Sequence, residues 1–248
     1  MTDAVIYEKK DGVAHLVLNR PQAGNAVNEQ LAQDLAEACQ RVNQDEQVVV
    51  VIISGAGPSF CVGSDLEPAR ALSLMTPARA VAGIEKPVIA AINGEAMGLG
   101  LELALSCDLR IASEGVRLGL PQSSQGTIPW DGGSQRLPRI VGKARALELL
   151  LTSRTIDAAE ALRIGLINKI VPAKNLLPET QALASQLATK GPIALRYAKE
   201  AVNKGLDLTM EQGLRLEADL YFLLHTTADR TEGVRAFLEK RPPRFKGV

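Results

Sequence analysis

Residues 86–113 read KPVIAAINGEAMGLGLELALSCDLRIAS and contain three structural signals in close succession. The apolar run PVIAAING at 87–94 ends at a glycine, which is typical of a strand buried on both faces of a sheet. The segment after Gly98 predicts a helix over 99–106, and a second strand is predicted over 108–112. A strand, a helix and a strand in this order indicate an α/β fold with crossover connections.

The sequence before this region continues the alternation. A hairpin is predicted over 5–18 around the turn Asp11-Gly12, and Asn28 is expected to cap a helix. The run VVVVIISG at 48–55 predicts another buried strand. A short helical stretch is expected around 67–83.

The sequence after Pro121 changes to mostly helical patterns. Short strands are predicted near 116–119 and at 166–171. The predicted helices lie at 132–140, 143–152, 157–164, 176–189, 192–204, 208–226 and 229–240. The helices after residue 192 carry apolar stripes that no remaining strand can cover. They are therefore expected to pack on the body of the protein or on another subunit.

The composition excludes several classes of protein. The 248 residues are 46% apolar and 23% charged, as in ordinary globular proteins, and 28 basic residues balance 28 acidic ones. That balance argues against nucleic acid as the main partner. Glu95 and Glu102 interrupt the most apolar stretch, 87–107, so no membrane span is predicted. Three scattered cysteines and an amino terminus without a signal-peptide pattern favour a cytoplasmic location.

Two loops that follow buried strands are candidate sites, because α/β proteins bind ligands at the carboxyl ends of their strands. They are GPSFCVGSDL at 57–66 and NGEAMGLG at 93–100. In the second loop a helix begins near Leu99. The first amides of a helix have no partners within it, so they bind anions or stabilise an oxyanion. The alternative is that the glycines of these loops only make tight turns.

Glu102 lies one turn into this helix, among leucines and alanines. Burial in such surroundings would raise the pKa of its carboxyl group toward that of a general base. The alternative is an acid that faces water and is favoured in the first turn by the helix dipole. His15 and His225 have no cysteine or carboxylate beside them at ligand spacing, so no metal site is predicted.

The order of these motifs resembles the crotonase family of enoyl-CoA hydratases and isomerases. The resemblance covers nearly the whole chain, and its matching segments are NRPQAGNAV at 19–27, SFCVGSDL at 59–66, residues 86–113, GTIPWDGGSQRLPRIVG at 126–142, TIDAAEALRIGLINKIV at 155–171 and the basic tail LEKRPPRFKG. It implies an α/β fold in which a crotonase-like ββα spiral over 1–191 precedes a helical trimerisation region over 192–248. It also implies a homotrimer or a dimer of trimers.

The resemblance implies an oxyanion hole made of two backbone amides, placed here at Ser64 and Leu99. These amides would grip the thioester carbonyl of an acyl-CoA substrate and stabilise an enolate. Leu99 stands where relatives usually have glycine. Glu102 corresponds to one of the two glutamates of family hydratases. Gln122 occupies the position of the second glutamate, and an amide cannot accept and return a proton.

Asp131 is the candidate replacement for the missing acid, because in some dienoyl-CoA isomerases of the family an aspartate from this loop joins the catalytic pair. The alternative is that Asp131 caps the helix predicted at 132–140. Trp130, the only tryptophan in the sequence, is the candidate to lie over a flat or cyclic acyl group.

The resemblance also implies where coenzyme A would bind. The backbone near Ser64, Asp65 and Leu66 would line the adenine and pantetheine path. Lys246 in the basic tail would approach the 3′-phosphate, and the alternative for this residue is a solvated chain end.

The expected activity is hydration of an enoyl-CoA, or the reverse dehydration, with Glu102 as general base. The missing second glutamate suggests a cyclic or conjugated dienoyl-CoA substrate. The alternatives are an enoyl-CoA or dienoyl-CoA isomerase, a hydrolase acting on a cyclic keto-acyl substrate, and a non-catalytic acyl-CoA-binding paralogue. No cofactor is expected beyond the CoA moiety of the substrate.

Overall fold

A six-stranded sheet lies at the centre of the protein. The computed structural model describes residues 3–65 and 76–248. The strands of this sheet follow the order β1-β2-β3-β4-β6-β9. Their bounds are Val5–Lys10 (β1), Val13–Leu18 (β2), Val50–Gly55 (β3), Val88–Ile92 (β4), Leu109–Ser113 (β6) and Lys169–Val171 (β9). Strands β1 and β2 are antiparallel and all the other pairs are parallel.

A second sheet contains three short strands. Its strands are Ala96–Met97 (β5), Arg117–Gly119 (β7) and Ile156–Asp157 (β8). The sequence predicts only β7, because the other two have two residues each and carry no periodic pattern. Strand β5 leads directly into the helix that carries Glu102, so this small sheet fixes where that helix begins.

Ten α-helices surround the sheets in the described part of the chain. They are Glu29–Gln44 (α1), Pro77–Ala82 (α2), Leu99–Ser106 (α3), Gly133–Val141 (α4), Lys143–Thr152 (α5), Ala158–Arg163 (α6), Leu176–Ala188 (α7), Pro192–Gly205 (α8), Met210–Leu224 (α9) and Ala228–Leu238 (α10). The predicted cap of α1 is confirmed, since the Asn28 side chain accepts a hydrogen bond from the amide of Leu31. Of the helical stretch predicted around 67–83, α2 is observed, and residues 66–75 lie outside the described residues.

Both faces of the large sheet are covered, which explains the continuous apolar runs of β3 and β4. One face carries Ile53 and Ala90 into the main core, which also contains the apolar faces of α1, α2 and α3. The other face carries Ile52 and Ile89 into a smaller core that α7 covers. The predicted α/β class and its crossover connections are confirmed.

The last three helices leave many apolar side chains in contact with solvent. Met210 is 80% exposed, Phe222 is 69% exposed and Phe237 is 83% exposed. No helix in the described part of the chain has the length and hydropathy needed to span a bilayer. The division of the chain into a core and a trimerisation region stays a prediction.

Candidate active site

The two predicted loops lie side by side. An isolated parallel bridge joins Cys61 to Ala96, and the amide of Met97 donates to the carbonyl of Cys61 at 3.0 Å. A second bridge joins Val27 to Ser64. The segments that carry Ser64 and Leu99 are therefore fixed to each other by main-chain hydrogen bonds, as the predicted site requires.

The amide of Leu99 opens helix α3. Because Leu99 is the first residue of the helix, its amide has no acceptor within the helix, and it has none elsewhere among residues 3–65 and 76–248. Gly98 before it has φ +52° and ψ −121°, a conformation that a residue with a side chain rarely adopts. The Leu99 side chain is 2% exposed and packs in the main core.

Gly100 sets the distance between the two loops. A Cβ atom at this position would lie 1.9 Å from the carbonyl oxygen of Cys61, so only glycine lets α3 approach the 61–64 segment this closely. From the sequence, the glycines of these loops are predicted only to form turns or to be parts of an anion site. Close backbone approach is an additional role that becomes evident only in three dimensions.

Ser64 and Asp65 are held by the neighbouring segment. The amide of Asp65 donates to the carbonyl of Val27 at 2.9 Å, and Oγ of Ser64 donates to the same carbonyl at 3.3 Å. The carboxylate of Asp65 pairs with the guanidinium of Arg20 at 3.0 Å. Leu66, the third residue predicted to line the coenzyme path, lies outside the described residues.

Glu102 is fully buried, with no exposed surface. Its Oε1 atom accepts hydrogen bonds from the amides of Asp131 at 2.9 Å and Gly133 at 2.8 Å. Its Oε2 atom accepts from Nε2 of Gln122 at 3.3 Å. The water-facing alternative for Glu102 is therefore wrong. The carboxylate is instead held in place at both oxygens.

The environment of Glu102 changes its acidity. Burial raises the pKa of Glu102 to about 7, while the amides of Gly133 and Asp131 act in the opposite direction. The negative charge of Asp131 raises this pKa further, and the guanidinium of Arg136 lowers it. A carboxyl group with a pKa near neutrality can both take and return a proton, as general acid–base catalysis requires.

Gln122 lies beside Glu102 and the start of α3. Its side chain is 7% exposed, and its amide oxygen Oε1 is buried with no hydrogen-bond partner among the described residues. A Cβ atom added to Gly98 would lie 3.6 Å from its Nε2 atom, which places the amide next to the turn before Leu99. A buried acceptor without a donor indicates a place for a hydroxyl group or a water molecule.

Asp131 lies in the same cluster, but it does not cap the helix that follows it. Gly132 occupies the capping position of α4, and the Asp131 carboxylate instead accepts from the amides of Ala78 and Arg79 at the start of α2. The alternative in which Asp131 caps the helix after it is therefore wrong. Its carboxylate binds the first turn of α2 instead. Burial raises the pKa of Asp131 to about 6, against the effect of the Ala78 amide.

Trp130 and Lys246 are the other two residues predicted to bind the substrate. Trp130 is half-buried and packs against the main core next to Asp131. The backbone amide of Lys246 donates to the carboxylate of Asp229 at the start of α10, at 2.6 Å. The roles of Trp130 and Lys246 toward substrate stay predictions.

Sequence reasoning missed three donors of this site. The amides of Ala78 and Arg79 bind Asp131, and Nη1 of Arg136 donates to the carbonyl of Asp131 at 2.7 Å. No local pattern connects residues 78 and 131, so only the folded arrangement reveals the contact. Within the described ranges, no group of three or more His, Cys, Asp or Glu side chains lies close enough together to hold a metal ion.

Comparison with known proteins gives one consistent family. The family model described as enoyl-CoA hydratase/isomerase matches residues 8–248. A crotonyl-CoA hydratase of Syntrophomonas wolfei is 42% identical over an alignment of 252 positions that covers 97% of each chain. A short-chain-enoyl-CoA hydratase of Clostridium acetobutylicum is 37% identical over an alignment of 248 positions that covers 96% of this chain and 95% of the relative.

The fold agrees with solved structures of similar sequence. The crystal structure of an enoyl-CoA hydratase from Bacillus anthracis superposes with a TM-score of 0.96 at 38% identity, covering 99% of this chain and 100% of the other. An enoyl-CoA hydratase structure from Mycobacterium tuberculosis gives a TM-score of 0.92 at 30% identity and covers 100% of both chains. The predicted crotonase-like fold is confirmed.

Proposed function

The chain belongs to the enoyl-CoA hydratase/isomerase family and is an enoyl-CoA hydratase-like enzyme, and from that premise we propose that it adds water to an enoyl-CoA with Glu102 as general base. The observation that carries this proposal is the buried Glu102 carboxylate, held by two amides and with a pKa of about 7. Curated relatives named as crotonyl-CoA and short-chain-enoyl-CoA hydratases support the reaction type.

In the proposed reaction, the amides of Leu99 and Ser64 donate to the thioester oxygen of the substrate. Negative charge that reaches this oxygen is stabilised there, and one such donor contributes about 10²–10³ in rate. Glu102 takes a proton from water while the water oxygen bonds to the β-carbon. The protonated carboxyl group then returns that proton to the α-carbon of the enolate. Hydroxide and proton both come from one water molecule, and Glu102 ends in its starting state.

The acyl group is the finer part of the proposal. Gln122 stands where family hydratases have a second carboxylate, and the bulky Trp130 stands in the loop that follows. We propose that these two differences adapt the enzyme to a cyclic or conjugated dienoyl-CoA. A comparison of kcat/KM for crotonyl-CoA with values for cyclic and dienoyl-CoA thioesters tests this. Higher values for the simple substrate would overturn it.

A second candidate is movement of a double bond within the acyl chain. Glu102 faces the neutral amide of Gln122, and one carboxylate is sufficient to carry a proton from one carbon to another. Incubation with crotonyl-CoA and a 3-enoyl-CoA in D₂O separates the candidates. Deuterium at the α-carbon together with a 3-hydroxyacyl product supports the hydratase, whereas exchange or rearrangement without that product supports the isomerase.

The variant Glu102→Gln tests the role of the base. An amide cannot accept a proton, so hydration is expected to fall by about 10²–10⁴, the usual contribution of a general acid–base group. Glu37→Gln is the control, because Glu37 is exposed on α1. Full turnover by Glu102→Gln would show that the proposed base is wrong.

The exposed apolar side chains of α9 and α10 support a homotrimer or a dimer of trimers. Monomeric proteins rarely leave large apolar side chains such as Met210, Phe222 and Phe237 in water without a partner. Sedimentation velocity at several protein concentrations distinguishes the two assemblies from a monomer.

The proposed reaction uses no cofactor beyond the CoA moiety of the substrate. We propose that the path of this moiety includes the backbone of Ser64 to Leu66 and the side chain of Lys246.

A further inference from the structure

Asp131 connects three helices of the candidate site through three different groups. Its carboxylate accepts from the amides of Ala78 at 2.6 Å and Arg79 at 3.3 Å, at the start of α2. Its carbonyl accepts from Arg136 of α4 at 2.7 Å. Its amide donates to Glu102 of α3 at 2.9 Å. One residue therefore joins the first turn of α2 to the carboxylate of the proposed base.

We propose that Asp131 is a positioning residue: its carboxylate seats the 129–133 loop on α2 and thereby holds the amides of Asp131 and Gly133 on Glu102. The inference rests on the proposed function, because it assigns Asp131 a part in holding the general base. Both oxygens of the carboxylate accept main-chain amides. The carboxylate is therefore directed toward α2, and in this proposal Asp131 acts on Glu102 through the loop.

The loop needs such an anchor because of its own sequence. Asp131 is followed by Gly132 and Gly133, and consecutive glycines leave the backbone with many accessible conformations. Gly132 has a φ of +103°. The two amides that bind Glu102 stand on either side of Gly132, so their positions depend on contacts made outside the glycines.

The charges around Glu102 make the proposal testable by the direction of a pKa change. The carboxylate of Asp131 and the guanidinium of Arg136 are the charged groups that act on Glu102, and Arg79 also acts on Asp131. The charge of Asp131 raises the pKa of Glu102, whereas the amides of Gly133 and Asp131 lower it. Loss of the Asp131 charge alone would therefore lower this pKa. Loss of the two amides would raise it.

The experiment follows the titration of Glu102 in protein labelled with ¹³C-glutamate, by isotope-edited infrared spectroscopy. The Glu102 band is assigned by its absence from Glu102→Gln. In Asp131→Ala we expect the pKa of Glu102 to rise above its value of about 7. Asp131→Asn loses the same charge but keeps one acceptor oxygen for an α2 amide, so the pKa of Glu102 is expected to lie below its value in Asp131→Ala. We also expect kcat for hydration to fall by about 10²-fold in Asp131→Ala, with KM changed less, because small misplacements of a catalytic group have effects of this size.

Two outcomes would overturn the proposal. An equal fall in the Glu102 pKa in both variants would mean that Asp131 acts only through its charge. An unchanged pKa would mean that it does not position Glu102 at all. The control is Asp157→Ala, because Asp157 also caps a helix, α6, by accepting from the amide of Glu160 at 2.8 Å. It is expected to lower the melting temperature without moving the pKa of Glu102.

The titration does not depend on turnover, so it separates this proposal from the proposed function. If the unmodified protein fails to hydrate enoyl-CoA thioesters, or if Glu102→Gln retains full activity, the proposed function fails. The direction of the pKa change in Asp131→Ala and Asp131→Asn still decides whether Asp131 positions Glu102.

Discussion

The amide of Gln122 faces the carboxylate of Glu102, with 3.3 Å between Nε2 and Oε2. This contact orients the amide, because an ionised carboxylate only accepts hydrogen bonds and so selects the donor end of Gln122. The acceptor end, Oε1, is then buried without a partner among the described residues. The pair thus presents a carboxylate oxygen and an amide oxygen side by side, which suits a water molecule or a hydroxyl group with a hydrogen to donate.

Replacement of Gln122 by methionine tests this arrangement. The variant Gln122→Met keeps the length of the side chain but removes both polar atoms, so water near Glu102 loses one acceptor. Because hydrogen bonds to charged or reacting groups contribute about 1.5–3 kcal/mol, we expect kcat for hydration to fall by about 10- to 10²-fold. Steady-state kinetics with crotonyl-CoA provide the measurement.

The matched control for this prediction is Gln125→Met. Gln125 is exposed in the same short 3₁₀-helix, Pro121–Gln125. Its replacement by methionine removes the same two polar atoms as in Gln122→Met, but away from Glu102. It is expected to leave kcat unchanged. Equal activity of the two variants would show that the buried amide of Gln122 does not take part in hydration.

The pH dependence of hydration follows from the pKa of Glu102. A general base works only when it is ionised, and burial raises the pKa of this carboxyl group to about 7. We therefore expect kcat/KM for hydration to rise with pH through this value and to level off above it. Dehydration of the 3-hydroxyacyl-CoA needs an acid to protonate the leaving hydroxyl group and is expected to favour lower pH. A rise of kcat/KM centred near pH 4.5, the ordinary pKa of a glutamate, would contradict the assignment of Glu102 as the base.

Folding stability is expected to depend on pH through the same carboxyl group. The folded protein holds the Glu102 proton more tightly than the unfolded chain, whose glutamate has the ordinary pKa of 4.5. The stabilisation is fully present below pH 4.5 and is lost as the pH rises through about 7. Asp131 behaves in the same way between its ordinary value of 3.8 and about 6. The free energy of unfolding should therefore fall as the pH rises across this range.

Urea denaturation at about pH 5 and about pH 8, at one protein concentration, measures this slope. In Glu102→Gln, which has no proton to release at this position, the difference between the two pH values should shrink by up to about 3 kcal/mol. Glu37→Gln is expected to keep the slope. A slope unchanged in Glu102→Gln would mean that the carboxyl group is not held in its protonated form by folding.

The large sheet and the helix that carries Glu102 are predictable from sequence for a simple reason. The runs in β3 and β4 are apolar at every position because both sheet faces are covered, and α3 follows a glycine turn within the same short stretch. The short strands β5 and β8 are not predictable, because two residues carry no period. Their pairing depends on β7, which lies between them in the sheet.

The candidate site is also only partly predictable from the sequence. The position of Glu102 beside an apolar helix start predicts a buried carboxylate, and the structure confirms its burial. The partners of Asp131 could not be found in this way, because Ala78 lies 53 residues away in the chain. Sequence gives the residue type and its local neighbours, whereas contacts over such separations are fixed by how the elements pack.

Two helical glycines provide the last prediction, because a substitution by alanine has opposite consequences at the two positions. In Gly100→Ala the new Cβ atom would meet the carbonyl oxygen of Cys61 at 1.9 Å, and this neighbour is backbone that cannot rotate away. The start of α3 must then move from the 61–64 segment, which separates the Leu99 amide from Ser64. We expect loss of hydration activity together with a lower melting temperature.

Gly205 is the control, since it ends helix α8 and a Cβ atom there would meet nothing within 4 Å. Alanine is favoured over glycine in helices by about 1 kcal/mol, so Gly205→Ala should keep its activity and match or exceed the melting temperature of the unmodified protein. Kinetics with crotonyl-CoA and thermal unfolding of the two variants, measured in parallel, are sufficient. If Gly100→Ala hydrates crotonyl-CoA as fast as Gly205→Ala, the close approach of α3 to Cys61 is not what holds the two amides of the oxyanion hole together.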